Sequence, residues 1–158
     1  MADHYTEFSE AIENLTIEEA DWLDRQLASD ATADCPVFLT DYPNRDPYDT
    51  DCGFGYSFEE HGGRRWLWIG SSEGCNVDYV AHLVQKFLRQ FRPDQCWSLT
   101  YAVTCSKPRV GEFGGGAVFV TADEINDHNA YAFVEQQQAA FQKKRQKQQK
   151  QQQQQTQP

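Results

Sequence analysis

The sequence predicts an α+β fold: an antiparallel sheet of about five strands in two hairpins, with three helices packed mainly on one face. Three observations carry that prediction. Phe54, Tyr56 and Phe58 alternate with small residues before Gly62-Gly63 and the run Arg64-Arg65-Trp66-Leu67-Trp68-Ile69, the pattern of a tight hairpin. Behind Asn76, the residues Val77, Val80, Ala81, Val84, Phe87, Leu88 and Phe91 form one helical stripe until Pro93. Cys96 to Thr104 alternates again and leads, across a glycine-rich loop, into Gly116-Ala117-Val118-Phe119-Val120. Hairpins interleaved with helices, in an order without regular βαβ units, indicate helices laid on an antiparallel sheet.

Taken in order, Asp3 to Ile12 reads as a short helix with Tyr5, Phe8 and Ile12 on one side. A second helix begins at the capping box Thr16/Glu19 and carries Ile17, Ala20, Leu23 and Leu27 inward and Glu18, Asp21 and Asp24 outward. Cys35 to Leu39 reads as an edge strand, since Pro36 has no N–H to give a ladder. The loop from Asp41 to Asp51 is rich in proline and aspartate and interleaved with tyrosine, hence stiff and exposed. A two-residue turn at Gly62-Gly63 sets Phe58 opposite Leu67, Tyr56 opposite Ile69, Glu60 opposite Arg65, Glu59 opposite Trp66 and Ser57 opposite Trp68. After Val120, Thr121 with Glu124 reads as a second capping box opening the last helix, whose apolar residues are Ile125, Ala130, Phe133, Val134 and Phe141. The domain therefore spans residues 1–141, and residues 142–158 form a Lys/Gln-rich tail that is helical to disordered.

The 158 residues carry a net charge of −10, distributed unevenly. Residues 1–60 hold sixteen acids against Arg25 and Arg45, whereas residues 142–158 hold five basic residues and no acid. Such a body repels nucleic-acid phosphate and attracts basic surfaces, accelerating association more than shaping the fold. Five cysteines, an odd number at irregular spacing without a Cys-x-x-Cys pair, disfavour a disulfide framework and a zinc site alike, so reduced thiols and no metal or other cofactor are expected. No stretch reaches the roughly 20 apolar residues of a membrane span, and the acidic start lacks the features of a signal peptide, which points to the cytoplasm.

The glycine-rich stretch Gly111 to Gly116 precedes its strand instead of coming after it, so no helix N-terminus faces it as a phosphate loop requires. Its charged approach, Lys107, Arg109 and Glu112, is a candidate anion or partner site on a hairpin tip. Cys105, close to Lys107, is a nucleophile only if the fold brings in a histidine, with His82 and His128 as candidates. Asp41, Tyr42, Asp46, Tyr48, Asp49, Asp51, Trp66 and Trp68 combine aromatic anchors with acids, as a binder of a basic protein surface does.

The segments Trp97 to Ala102 and Cys105 to Ala117 resemble stretches of short, acidic, uncharacterised proteins of bacterial plasmids and phages, with no named family attached. The resemblance implies a bacterial or phage origin and transfers no functional residue. Charge and aromatic content together point to a non-enzymatic interaction protein. Its acidic surface docks on a basic partner, such as a nucleic-acid-handling host protein that it inhibits as an anti-defence factor or DNA mimic. Two alternatives stand beside it: a small enzyme or ligand-binding domain with a pocket at the 105–116 loop, between the 96–120 hairpin and the acidic 41–51 loop, and nucleic-acid binding through the basic tail. The second is opposed by the charge of the body and by a tail without interleaved aromatics. Membrane association is not expected, and oligomeric state is not encoded in any of these patterns.

Overall fold

The computed structural model describes residues 3–43, 45–48, 50–107 and 109–155, with side chains described up to residue 148. It is an α+β fold whose main sheet has six antiparallel strands. These are β1 (His4–Ile12), β4 (Gly55–His61), β5 (Arg64–Ser71), β6 (Cys96–Cys105), β7 (Gly114–Thr121) and β8 (Ile125–Asn129), in the order β4-β5-β1-β6-β7-β8. A separate ladder pairs β2 (Ser29–Asp30) with β3 (Cys35–Pro36).

The strand β1 replaces the helix expected at Asp3–Ile12 and joins the two hairpins into one sheet. Its second half, Phe8 to Ile12, pairs with Ser71 to Leu67 of β5, and its first half, His4 to Glu7, pairs with Cys105 to Ala102 of β6. Where the β6 ladder stops, the Trp97 indole Nε1 donates to the Ala11 carbonyl at 3.0 Å, so the backbone acceptor stays satisfied. The hairpin register expected from Gly62-Gly63 holds at all five pairs, from Tyr56 opposite Ile69 to Glu60 opposite Arg65.

One face of the sheet holds the core. Phe8, Ile12, Leu67, Ile69, Leu99, Val118 and Val120 are buried against α1 (Ile17–Leu27) and α2 (Val77–Phe91), with Leu23, Leu83, Val84 and Phe87 filling the layer between. Two of the predicted helix starts are present: Thr16 and Glu19 form a reciprocal capping box, and Asn76 accepts from the Asp78 N–H at 3.1 Å. The segment Cys35–Leu39 is not a strand throughout. Only Cys35–Pro36 pairs, and Val37–Leu39 turns as a 3₁₀ helix that buries Phe38 and Leu39 completely, which an extended edge strand with one face in solvent would not achieve.

Thr121 does not open the last helix. Its hydroxyl accepts from the Asp123 and Glu124 N–H groups, but its own N–H donates to the Glu124 carbonyl at 2.9 Å, which closes a tight turn into β8. The last helix, α3 (Ala130–Gln155), starts well beyond the expected cap, with Asn129 accepting from the Ala132 N–H. While α1 and α2 cover the core, Phe133, Val134 and Phe141 of α3 stay 45%, 50% and 58% exposed. None of the described helices is long and apolar enough to cross a membrane.

Candidate functional site

Exposed acidic residues recur on α1 and on the edge strand β4. Glu18, Asp21 and Asp24 lie exposed on the outer side of α1, and β4, the outermost strand beyond β5, exposes Glu59 and Glu60. The Tyr56 hydroxyl ties these elements together: burial, then the nearby charges of Cys52 and Asp24, push its pKa upward, so Asp24 sits within electrostatic reach of the edge strand. Arg65 pairs with Glu60 at 2.7 Å and Arg25 lies in the last turn of α1, leaving these two elements acidic on balance. At the opposite edge, β8 leads into α3, where Lys143, Lys144, Arg145 and Lys147 are exposed. Exposed carboxylates accompany that edge too, at Asp123, Glu124 and Asp127, so the cations of α3 are set off from the body by position along the helix.

The expected partner-binding residues do not form one patch. Asp41 is fastened to α2, accepting from Lys86 Nζ at 2.8 and 3.0 Å and lying 3.2 Å from His82 Nε2. Desolvation pulls the Asp41 pKa upward, but the hydrogen bonds from Lys86 and His82 outweigh it and hold the carboxyl below its ordinary value. Tyr42 is half-buried, edge-on to Tyr79 at 4.9 Å and to His82 at 5.1 Å. These two are packing residues as much as surface ones. Asp46 and Asp51 use a carboxylate oxygen to accept from the N–H two residues on, Tyr48 at 3.0 Å and Gly53 at 2.7 Å, so they shape the loop while their charge faces solvent. Tyr48 is 89% exposed, an aromatic at the loop's tip; Asp49 lies outside the described residues.

Trp66 and Trp68 are half-buried on the face of β5 opposite Leu67 and Ile69, and so on the far side of the sheet from α2. Trp68 lies flat on glycine: a Cβ at Gly70 would stand 2.3 Å from its ring, and its Nε1 donates to Ser9 Oγ at 2.9 Å. It walls an open cleft of about 810 Å³ that also draws on Phe8, Asp51, Phe54 and Glu73. This cleft touches the acidic loop at Asp51 and has no residue of 105–116 in its wall.

Comparison with protein-family models, curated proteins and solved structures gives no match.

The 105–116 loop holds the second constellation, and here the fold supplies a partner that sequence spacing conceals. Cys105 ends β6, and the β1–β6 register sets His4 directly opposite it. Glu112 folds back from the loop, its Oε2 accepting from the Cys105 thiol at 3.0 Å while Oε1 lies 3.7 Å from Arg109 Nη1. The imidazole, thiol and carboxylate donor atoms all lie within 4.8 Å of one another. Two long-range bonds at 2.9 Å pin the strand ends, Ser106 N–H to the Asp3 carbonyl and Asp3 N–H to Ser106 Oγ, and the Tyr131 hydroxyl donates to the Gly111 carbonyl at 3.0 Å. The two histidines weighed as partners of Cys105 are elsewhere: His82 is bound to Asp41, and His128 lies tilted against Phe133 with ring centroids 5.5 Å apart. Lys107 is exposed at the loop's start.

The remaining cysteines differ in access. Burial, then the nearby Cys52, pushes the Cys75 thiol up to about 12, whereas Cys96 is exposed. With limiting iodoacetamide at pH ~8, peptide mapping of the native protein should show Cys96 labelled well ahead of Cys75. Equal labelling of the two would mean that the packing around Cys75 does not persist in solution.

Proposed function

We propose that the chain is a non-enzymatic interaction domain whose acidic flank, built from the outer face of α1 and the edge strand β4, docks on a basic protein surface. The observation that carries this reading is the set of exposed carboxylates on two elements, Glu18, Asp21 and Asp24 along α1 and Glu59 and Glu60 on the edge strand β4, with Asp24 within electrostatic reach of Tyr56 on that strand. Exposed carboxylates concentrated in this way raise encounter rates with a cationic partner and reject anionic ones. The ring of Tyr56, on β4 itself, supplies aromatic contact within the same acidic surroundings. In its sharpest form the partner is a nucleic-acid-handling protein that the flank inhibits by occupying its phosphate-binding surface, in a bacterium carrying a plasmid or phage.

The test is binding to a panel of purified basic nucleases and nucleic-acid-binding proteins at low and high salt. Binding should weaken steeply with salt, and the triple variant Asp21→Asn/Asp24→Asn/Glu59→Gln should associate about tenfold more slowly with its dissociation rate little changed. Absence of salt-sensitive binding across the panel, or a triple variant that binds as the parent does, would sink the reading.

A second reading, a small enzyme or ligand-binding domain at the 105–116 loop, is favoured by one observation: the thiol of Cys105 has both a carboxylate and a histidine beside it. A small molecule retained in native mass spectrometry and lost in Cys105→Ser would favour this reading over the first.

A further inference from the structure

We infer that His4, Cys105 and Glu112 form a binding site for a divalent cation of borderline softness, for which Zn²⁺ is the physiological representative. The three donors belong to elements far apart in sequence that the sheet brings together: β1, the end of β6 and the returning loop. Their types are complementary. An imidazole nitrogen, a thiolate sulfur and a carboxylate oxygen together suit Zn²⁺ or Co²⁺, whereas Mg²⁺ and Ca²⁺ prefer all-oxygen shells. Metal–ligand bonds of about 2.0–2.3 Å set neighbouring donors of a tetrahedral ion about 3.3–3.8 Å apart. The donors here lie within 4.8 Å of one another, with the sulfur and the carboxylate oxygen at 3.0 Å, close to the spacing that one ion requires of three ligands.

The surroundings orient the carboxylate. Arg109 faces Glu112 Oε1 at 3.7 Å, which leaves Oε2 as the oxygen turned toward the thiol and acts as an outer partner that orients the carboxylate. In the metal-free form the thiol proton lies on the Cys105–Glu112 hydrogen bond. Binding exchanges that proton for the metal: the S–H bond breaks, an S–metal bond forms, neutral imidazole and ionised carboxylate add their lone pairs, and one proton passes to solvent. The thiolate and carboxylate then neutralise the ion's two charges. A fourth position remains for water or an incoming ligand, the arrangement of an open zinc site. The ion would also clamp the start of β1 to the 106–113 loop, adding a metal bond where backbone bonds from Asp3 and Ser106 already hold the chain.

The probe is Co²⁺ added to the full-length chain without an affinity tag. One equivalent should give a thiolate-to-cobalt charge-transfer band in the near-ultraviolet and visible bands of four-coordinate cobalt, and Zn²⁺ should displace both. Cys105→Ser should abolish the charge-transfer band, His4→Ala and Glu112→Gln should each weaken binding at least about tenfold, and Cys96→Ser should leave everything unchanged. Far-ultraviolet circular dichroism of each metal-free variant checks folding, and Zn²⁺ should raise the melting temperature of the parent but not of Cys105→Ser. Absence of a thiolate band in the parent, a band that survives Cys105→Ser, or one that disappears equally in Cys96→Ser would overturn the assignment.

Discussion

Arg92→Ala is expected to destabilise the chain by about 3–5 kcal/mol, because it strands a buried carboxylate. The Arg92 guanidinium bonds both oxygens of Glu19, at 2.7 and 2.9 Å, and donates to the Glu13 and Asn14 carbonyls at 3.1 and 3.0 Å. It also lies 5.1 Å from the Phe87 ring centroid, so it closes the end of the core as well as the charge pair. The Glu19 side chain is only 8% exposed, and the Arg92 side chain 16%. The hydrogen bond from Arg92 is the main reason the Glu19 pKa is lowered, overcoming burial, with Thr16 bonds assisting. A carboxyl whose folded pKa is depressed contributes stability above its unfolded value and loses it as pH falls through the folded pKa. Without Arg92 the burial contribution is left to push Glu19 upward. The deficit of the variant should therefore be greatest near neutral pH and shrink below the ordinary glutamate range of about 4.3. Urea midpoints at an unchanged slope measure it. A deficit under about 1 kcal/mol, or one of equal size on both sides of that range, would show that Glu19 is not stranded. The paired replacement Arg92→Met/Glu19→Gln should cost less than Arg92→Ala, because it leaves no buried charge behind.

That ion pair also shows which features can be recognised in sequence. Thr16-x-x-Glu19 and Thr121-x-x-Glu124 are the same pattern, and only the first is a capping box. In the first, the Glu19 side chain returns to the Thr16 N–H; in the second, the Glu124 main chain does so, and the chain turns into β8 instead of a helix. The residues downstream differ too: Ala20, Leu23 and Leu27 continue the first at helical spacing, whereas Asn126 to Asn129 are polar throughout. The hairpin register of β4 and β5 is readable because Gly62-Gly63 fixes it locally. β1 is not, because Tyr5, Phe8 and Ile12 fit a helical stripe in so short a window, and its strand state depends on β5 and β6, remote in sequence. The same ambiguity hides part of the metal constellation. Cys105, Arg109 and Glu112 stand out in their loop, but His4 becomes their neighbour only once β1 is a strand in register with β6. For the acidic flank, composition shows the charge and not its arrangement. The stretch around Asp41 and Tyr42 has the most exposed character in sequence, yet it is tied to Lys86, Tyr79 and His82, and the carboxylates of α1 and β4 form the open edge.

Gly115→Ala should cost about 3 kcal/mol or more, far above a typical surface substitution. Gly115 has φ 151°, and a Cβ there would stand 2.4 Å from the Tyr101 carbonyl oxygen and 3.3 Å from Ala102 Cα. Both obstacles are backbone of β6, held by the ladder that pairs Gly115 with Ala102. No rotamer change relieves them, so the β6–β7 pair must separate at the end that carries Cys105. Gly62 is the control: its φ of 60° is also positive, but nothing lies within 4 Å of the added methyl, so Gly62→Ala should cost only the conformational strain of about 1 kcal/mol. Denaturation of both variants separates close approach from backbone preference, and equal costs would refute the steric account. Because the distortion falls between Cys105 and the returning loop, Gly115→Ala should also weaken the cobalt band under conditions where the protein is still folded, and Gly62→Ala should not. Within the stretch that looks like a phosphate loop, Gly115 and Gly116 are thus required by the backbone of neighbouring strands and Gly114 by the Tyr131 ring, whereas Gly111 serves its positive φ.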